Sequence, residues 1–430
     1  MRRITIVSVT PIKAEADSRS YKIAASFSRF GYRSILVEGQ KSDRLMDKRL
    51  PFELVTIAPA QSSATTALSG TDGRSWKIFI INCARKSLLS IRPKVLGQAA
   101  INFLRLWLFL YSSFRTNFLL PLKYIPAASL YYLHGFTLYP AVHILCKKYK
   151  ALLIYDAHDF YPAERIREDT KNFGQRWIET FFQHVESRLV KVSCAVVTVN
   201  DSIAKLMRST FKCSPRVLRN CHDNRLDEYV GPDLRQRLGL SQVDFIIVAI
   251  GNAKEGSAIK QALDAMLELP LNVHLVFLGN FYERIVNYID KRGLQGRVHI
   301  LPPVMPYEVV PLTRSADASI ILYYPKDENY KYSLPNRFFQ SIAAELPLLY
   351  PRLPEMMRIT SKYNIGLPID PPNPKSIVDA VKRLVEDAHL QSSLKNNLRV
   401  ARKELSWEME ELHLKELLSR TLTDIALESS

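Results

Sequence analysis

Cysteine is scarce in this sequence of 430 residues and follows no pattern. The chain has five cysteines, an odd number, and no two of them form a C-x-x-C pair. A disulfide framework and a cysteine-ligated zinc site both need paired or closely spaced cysteines, so neither is indicated. This use of cysteine is typical of a reducing compartment, and we expect a cytoplasmic protein.

The sequence also lacks a long uninterrupted apolar run. Residues 99–122 are rich in leucine, phenylalanine and tryptophan, but Arg105 and Arg115 interrupt them. A helix that crosses a membrane needs roughly 20 apolar residues, so we expect this segment to lie on a bilayer or inside a core. The apolar run at residues 4–9 is too short for a signal peptide and predicts a first strand.

Acidic residues are missing altogether between Gly73 and Tyr155. That stretch has twelve lysines and arginines, which supply most of the net charge of +17. Basic side chains beside aromatic and leucine residues are typical of a segment that binds an anionic membrane surface. We therefore expect residues 85–123 to hold the protein peripherally at the inner face of the membrane. A buried helix with a solvated basic rim is the alternative, and nucleic acid is not expected because no recognition motif accompanies the charge.

Short apolar runs alternate with helical patterns over most of the chain, which is too long for a single core. This alternation predicts an α/β fold of two doubly wound, Rossmann-like domains with parallel sheets, facing a cleft. We predict an N-terminal domain at residues 1–222, a C-terminal domain at 223–405, and a helix at 406–430 that packs back toward the first domain. Strands are predicted at residues 4–9, 34–38, 129–133, 152–155, 194–199, 245–250, 273–278, 298–301 and 318–323.

Six stretches of the sequence carry a family resemblance, and they occur in the family's order. They lie at residues 17–32, 155–159, 196–220, 249–251, 276–279 and 333–340. Together they resemble the GT-B fold glycosyltransferases, specifically the retaining family-4 group that builds polysaccharides and lipid-linked sugars. The resemblance implies an enzyme that moves a hexose-type sugar from a nucleotide diphosphate donor to a glycan or lipid-linked acceptor.

The most informative stretch begins with Ser333, Leu334, Pro335 and Asn336. Proline suits the first position of a helix, and the amide groups at a helix start can hold a phosphate. In the resembling family this helix faces the donor pyrophosphate. The resemblance implies no cofactor and no metal, because the helix dipole and cations neutralise the leaving diphosphate, and the sequence has no D-x-D carboxylate pair.

Gly251 and Gly279 each follow an apolar run, and a glycine there lets the backbone approach a ligand closely. The resemblance implies that Gly251 lies near the phosphates and Gly279 near the nucleoside.

His158 and Asp159 follow a predicted strand, where ligand sites of parallel sheets occur. The resemblance implies that this pair reaches the donor sugar and acts in catalysis. His134, at an equivalent strand end, is a candidate for the acceptor side.

Several positions depart from the family pattern. The family carries a cation just after the first glycine and another about six residues beyond it, but here these positions are Asn252 and Ser257. Charge-assisted hydrogen bonds contribute about 1.5 to 3 kcal/mol each, so other cations must replace them if the enzyme is active. The candidates are Lys254, Lys260, Lys331 and Arg337.

Three further departures affect the helix that begins near Asn336. Tyr332 and Gln340 stand where the family has two glutamates, and an amide at Gln340 can still bond a pair of ribose hydroxyls. Glu345 replaces a helix-ending glycine, so we expect the end of this helix to shift. These changes leave a second hypothesis open, a non-catalytic glycosyltransferase-like binding or scaffold subunit of a polysaccharide assembly complex.

The basic segment provides a direct test of membrane binding. Each lysine or arginine near an anionic leaflet contributes about 1 kcal/mol, so four of them raise partitioning close to a thousandfold, that is about 4 kcal/mol. Replacing Lys86, Arg92, Lys94 and Arg105 together should release the protein from anionic liposomes. Sedimentation of the variant with the liposomes at the wild-type level would refute the assignment.

Overall fold

The computed structural model describes residues 4–43, 45, 49–57, 114–163, 173–227, 229, 231–254, 256–325, 327–369 and 373–428. Residues 85–113, most of the predicted membrane-facing segment, lie outside the described residues. The rest of that segment is helical, with a π-helical turn at Arg115–Leu119 followed by an α-helix at Leu120–Tyr124. In the part of the chain that is described, no helix combines the length and the apolar character needed to cross a bilayer.

The first sheet has seven strands in the order β3-β2-β1-β4-β5-β6-β7. The strands are β1 (Thr5–Thr10), β2 (Arg33–Glu38), β3 (Glu53–Thr56), β4 (Leu130–His134), β5 (Leu152–Ala157), β6 (Ala195–Thr198) and β7 (Arg216–Val217). Strand β1 pairs in parallel with both β2 and β4. Its residues are almost all buried, as expected of a central strand that is covered on both faces. Helices connect the strands at Ser18–Arg29, Tyr139–Tyr149, Phe173–Val192 and Asp201–Phe211.

The second sheet has six strands in the order β10-β9-β8-β11-β12-β13. The strands are β8 (Phe245–Ile250), β9 (Val273–Leu278), β10 (Val298–Leu301), β11 (Ala318–Ile320), β12 (Leu348–Pro351) and β13 (Gly366–Ile369), and every neighbouring pair is parallel. Helices around it are Leu234–Leu238, Ile259–Ala265, Val286–Lys291, Val309–Thr313, Glu328–Lys331, Asn336–Ala343 and Pro354–Tyr363.

The sequence of β8 explains why this sheet is covered on both faces. Ile247 and Ala249 pack into one apolar cluster, whereas Ile246, Val248 and Ile250 pack into another. Successive side chains of a strand point to opposite faces, so a continuous apolar run fills two cores at once. The predicted α/β fold with two parallel sheets is confirmed.

The chain divides into two compact units, residues 1–155 and 156–430. The strands of the first sheet end at Val217, and those of the second begin at Phe245. The predicted domain limits at residues 222 and 405 stay a prediction.

The C-terminal residues are helical. Helices lie at Pro374–Glu386, Ala388–Glu404 and Trp407–Glu428. The last helix begins where the Trp407 amide donates to the His222 carbonyl over 2.8 Å. Further along, Glu410 pairs with Arg219 at 3.0 Å and Glu411 pairs with Arg225 at 2.8 Å. This helix is thus fastened to residues 219–225, which connect the two sheets.

The expected shift at the end of the Asn336–Ala343 helix is wrong. Glu345 keeps a left-handed backbone with φ of 60°. The Leu346 amide donates to the Ser341 carbonyl and the Glu345 amide to the Ile342 carbonyl, both over 3.0 Å, which is the glycine-type helix ending. The Glu345 carboxylate contacts Arg402 at 3.1 Å and Arg399 at 3.3 Å. These ion pairs partly offset the backbone strain.

Glu345 therefore offers a test of strain against charge. Left-handed geometry costs a residue with a side chain about 1 to 2 kcal/mol, and partly exposed ion pairs contribute about 0 to 1 kcal/mol. We expect Glu345→Gly to be as stable as wild type or more stable, and Glu345→Ala to be less stable than the glycine variant by about 1 kcal/mol. Urea unfolding of both variants measures the difference; equal midpoints would contradict the assigned strain.

Candidate functional site

Two glycine turns meet at the carboxyl ends of β8 and β9. The Gly251 amide donates to the Leu278 carbonyl over 2.8 Å. A Cβ atom added to Gly279 would lie 2.6 Å from the carbonyl carbon and oxygen of Gly251, so no side chain fits there. Gly251 itself has φ of 95°, which favours glycine. Backbone packing therefore fixes both glycines, at the strand ends where parallel sheets bind ligands.

Asn252 and Ser257, which replace the family's cations, bond to backbone within these loops. The Asn252 side-chain oxygen accepts from the Asn280 amide over 2.9 Å, and the Ala253 amide donates to the Asn280 carbonyl over 2.9 Å. The Ser257 hydroxyl donates to the Lys254 carbonyl. Asn252 thus joins the turn after β8 to the turn after β9.

A cation nevertheless lies against Gly251. A Cβ atom added to Gly251 would lie 2.6 Å from Nη2 of Arg337, so the guanidinium touches this turn. The same guanidinium stands 5.1 Å from the ring centre of Tyr323, a side chain that is almost fully buried. Cation–π contact with a fixed ring limits the orientations of the arginine. Of the candidates considered from sequence, Arg337 is the one that reaches the first glycine turn.

Lys254 approaches the same aromatic group. Its Nζ lies 5.8 Å from the ring centre of Tyr323 and 5.6 Å from that of Tyr330. The rings of Tyr323 and Tyr330 are themselves 5.4 Å apart. Lys254 and Arg337 therefore share one ring, and we call this group of four residues the cation–tyrosine cluster. The cluster concentrates positive charge beside Gly251.

The Tyr282 side chain also contacts the turn at Gly251. Its hydroxyl donates to the Gly251 carbonyl over 2.8 Å. Burial raises the pKa of Tyr282 to about 12, more than the nearby Arg337 lowers it. The phenol therefore keeps its proton at neutral pH and holds the carbonyl of Gly251 in place.

The helix expected to face a phosphate begins at Asn336 and not at Pro335. Pro335 is the N-cap residue, with φ of −71° and ψ of 157°, and its carbonyl accepts from the Phe338 amide over 2.9 Å. The prediction of proline at the first helical position is wrong by one residue, because the fixed φ of proline also suits an extended cap. Arg337 occupies the second helical position, which brings its cation to the helix start.

The other predicted residues of this segment have distinct surroundings. Leu334 is buried and packs into the core with Phe338 and Phe339. The Ser333 hydroxyl donates to the Tyr330 carbonyl over 3.0 Å. The Asn336 side chain is exposed and accepts a hydrogen bond from Asn220.

The two positions that replace glutamates lie on either side of the helix start. Gln340 is half-buried, one turn further along the helix than Asn336. The Tyr332 carbonyl accepts from the Asn200 side chain over 2.7 Å. Asn200 is also the N-cap of the Asp201–Phe211 helix, so it joins that helix to the segment before Asn336.

His158 and Asp159 follow β5 directly, as predicted. His158 Nε2 lies 3.5 Å from a carboxylate oxygen of Asp156, whose side chain is fully buried. Asp159 is exposed. The next residue, Phe160, donates its amide to the Asn329 side-chain oxygen over 2.7 Å. The turn that carries His158 is therefore bonded to the helix Glu328–Lys331, which also carries Tyr330.

His134 ends β4 in the first unit. It is buried, and its ring centre is 5.1 Å from that of Tyr132. The carboxylate of Asp17 offers an oxygen within 4.8 Å of a ring nitrogen of His134. Asp17 also caps the first helix, because its side chain accepts from the amides of Arg19 and Ser20. Its place in that cap fixes the carboxylate beside the histidine.

Sequence reasoning missed four contributors to this site: Tyr282, Tyr323, Asn329 and Tyr330. The tyrosines belong to no motif, and their roles follow from rings that meet only in the folded chain. Asn329 lies only four residues before Ser333, but a single asparagine in a polar stretch gives no signal by itself.

Residues 231–401 match the family model for glycosyl transferases group 1. No curated protein matches the sequence. The chain is similar to sucrose-phosphate synthase from Thermosynechococcus elongatus, with 14% identity and a TM-score of 0.67 over 98% of this chain and 100% of that one. It is also similar to Anabaena HepE in complex with UDP and glucose, with 13% identity and a TM-score of 0.63 over 97% of this chain and 100% of that one. A third similar structure is that of WaaG, a glycosyltransferase involved in lipopolysaccharide biosynthesis, with 14% identity and a TM-score of 0.58 over 95% of this chain and 99% of that one.

These comparisons confirm the resemblance inferred from the six stretches. The group 1 family is matched in the second sheet and its helices, and the fold over nearly the whole chain is that of GT-B glycosyltransferases. The predicted GT-B fold is confirmed, and the match of residues 231–401 to the group 1 family model agrees with the predicted glycosyltransferase class of enzyme. The individual site residues stay predictions.

The contact between the glycine turns yields a prediction. Gly279→Ala places a methyl group against the Gly251 carbonyl, so the turns must separate. Overpacking of this kind costs about 1 to 3 kcal/mol, and we expect nucleoside diphosphate binding to weaken together with stability. Gly296→Ala is the matched control, because an added Cβ there meets nothing within 4 Å. Calorimetric titration and thermal unfolding measure both effects; wild-type behaviour of Gly279→Ala would overturn the packing argument.

Proposed function

We propose that the protein is a retaining glycosyltransferase of polysaccharide biosynthesis. It transfers a hexose-type sugar from a nucleotide diphosphate donor to a glycan or lipid-linked acceptor. The observation that carries this proposal is the cation–tyrosine cluster beside Gly251, because it supplies positive charge where Asn252 and Ser257 supply none. The complex of HepE with UDP and glucose supports a nucleotide sugar as the donor class.

The diphosphate is held by charge and by backbone amides. Arg337 presents a guanidinium with five N–H donors, and Lys254 adds an ammonium 5.8 Å from the centre of the same Tyr323 ring. The amides at the start of the Asn336–Ala343 helix add the positive end of the helix dipole. This combination needs no metal, because two cations and a helix start match the charge that develops on a leaving diphosphate.

The transfer is a same-face displacement at the anomeric carbon. The bond from that carbon to the diphosphate oxygen breaks as the bond to the acceptor hydroxyl oxygen forms. The departing diphosphate oxygen takes the proton of the incoming hydroxyl, so no strong protein base is required. His158, oriented by the buried Asp156 carboxylate, contacts the donor sugar, and Asp159 assists it.

The acceptor is presented at a membrane surface. The acid-free stretch between Gly73 and Tyr155 supports this proposal, because it concentrates twelve cations beside apolar residues. A lipid-linked acceptor at the inner leaflet would then reach the enzyme by diffusion in two dimensions. The protein is in this proposal cytoplasmic and peripheral.

A scaffold without turnover is the second candidate. It is favoured by Asn252 and Ser257, whose side chains bond to backbone, and by Tyr332 in place of a glutamate. Donor binding separates the two candidates only when turnover is measured as well. A panel of sugar nucleotides, assayed for hydrolysis and transfer with and without membranes, therefore discriminates between them. Binding without any turnover across the panel would favour the scaffold.

The central prediction concerns the cation beside Gly251. Arg337→Gln removes one charge-assisted contact, worth about 1.5 to 3 kcal/mol, so nucleoside diphosphate binding should weaken roughly 10- to 100-fold. Lys254→Gln should weaken it in the same direction. The control is Arg383→Gln, an exposed arginine of the Pro374–Glu386 helix.

Calorimetric titration in the presence of a chelator measures the effect without a contribution from metal. Unchanged affinity in both Arg337→Gln and Lys254→Gln would refute the proposed phosphate contacts. Activity that disappears in chelator and returns with a divalent cation would refute the metal-independent mechanism.

A further inference from the structure

Asn329 is a buried polar side chain whose amide oxygen is hydrogen-bonded and whose amide nitrogen is not. It lies on the helix Glu328–Lys331 and is 9% exposed. Its Oδ1 atom accepts from the Phe160 amide over 2.7 Å. Its Nδ2 atom is shielded from solvent and bonds to none of the described residues. Buried amide groups in proteins are nearly always paired, so this donor calls for an explanation.

The orientation of the amide is fixed by its one partner. An asparagine can exchange its oxygen and nitrogen by a half turn, and the hydrogen-bond network decides between the two. Here the partner is a backbone N–H, which can only donate. The oxygen must therefore face Phe160, and the unpaired group is the N–H donor of Nδ2.

The surroundings of this donor belong to the proposed donor site. Phe160 is two residues after His158, and Tyr330, the neighbour of Asn329, has Lys254 Nζ 5.6 Å from its ring centre. Asn329 thus joins the His158 turn to the cation–tyrosine cluster. Diphosphate oxygens are matched by the two cations, whereas a neutral amide donor suits a neutral oxygen such as a sugar hydroxyl.

We propose that the Asn329 amide donates a hydrogen bond to a hydroxyl oxygen of the donor sugar and helps to select that sugar. This inference rests on the proposed function and deepens it. The contact discriminates among sugars because a site built to bond a hydroxyl leaves its own group unpaired when that hydroxyl is missing. Nucleoside diphosphate alone does not use the contact.

The test uses Asn329→Asp in the full-length protein. A carboxylate retains the acceptor for the Phe160 amide and loses the N–H donor. Affinity for the sugar nucleotide should fall about 3- to 10-fold, as expected for a neutral hydrogen bond, whereas affinity for the nucleoside diphosphate should stay within about twofold. Asn272→Asp is the matched control, because Asn272 is half-buried, donates its side-chain amide to the Val243 carbonyl and precedes β9, at the strand end away from Gly279.

A series of deoxy sugar nucleotides separates loss of the bond from the added charge. The analogue that lacks the contacted hydroxyl should bind wild type weakly and be insensitive to Asn329→Asp, while the other analogues remain sensitive. Equal sensitivity of all analogues, or none, would overturn the inference. Failure of wild type to bind any nucleoside diphosphate would overturn the proposed function itself, and this inference with it.

Discussion

The contact between the Arg337 guanidinium and the Gly251 turn is the interaction on which the proposed donor site depends. A diphosphate carries concentrated negative charge, and a protein can hold it only if cations and amide donors are already in place. Here the cation comes from the second position of a helix and packs on the Tyr323 ring. Contact with the buried ring limits the orientations of the arginine, so less side-chain entropy is lost when a ligand binds.

The segment from Asn329 to Asn336 is held from several directions. Asn329 bonds to Phe160, the Tyr332 carbonyl to Asn200, and the Asn336 side chain to Asn220. These partners lie at the end of β5, at the start of the Asp201–Phe211 helix and in the connection after β7. Contacts that are distant along the chain therefore position the residues next to the cation–tyrosine cluster. Such a segment is more rigid than its short helices alone would suggest.

Sequence reasoning predicted the fold well where strands are apolar and central. The limits predicted for β8, β9 and β10 agree with the structure because these strands are mainly apolar runs that follow a polar residue and end before a glycine or proline. Strands β12 and β13 were missed since Pro351 and Pro368 interrupt the pattern; proline is tolerated at a strand end and in an edge strand. Strand β3 is partly polar, and β7 has only two residues, so neither gives a clear signal.

Sequence motifs predicted only part of the candidate site. The glycines were found because backbone geometry demands them, but the choice of Arg337 among four candidate cations required the folded chain. The packing of Gly279 on the Gly251 carbonyl has a consequence for protein engineering. A library randomised at both glycines would return few folded members, so a redesign of substrate preference belongs at Tyr332, whose bond to Asn200 is made by its backbone carbonyl.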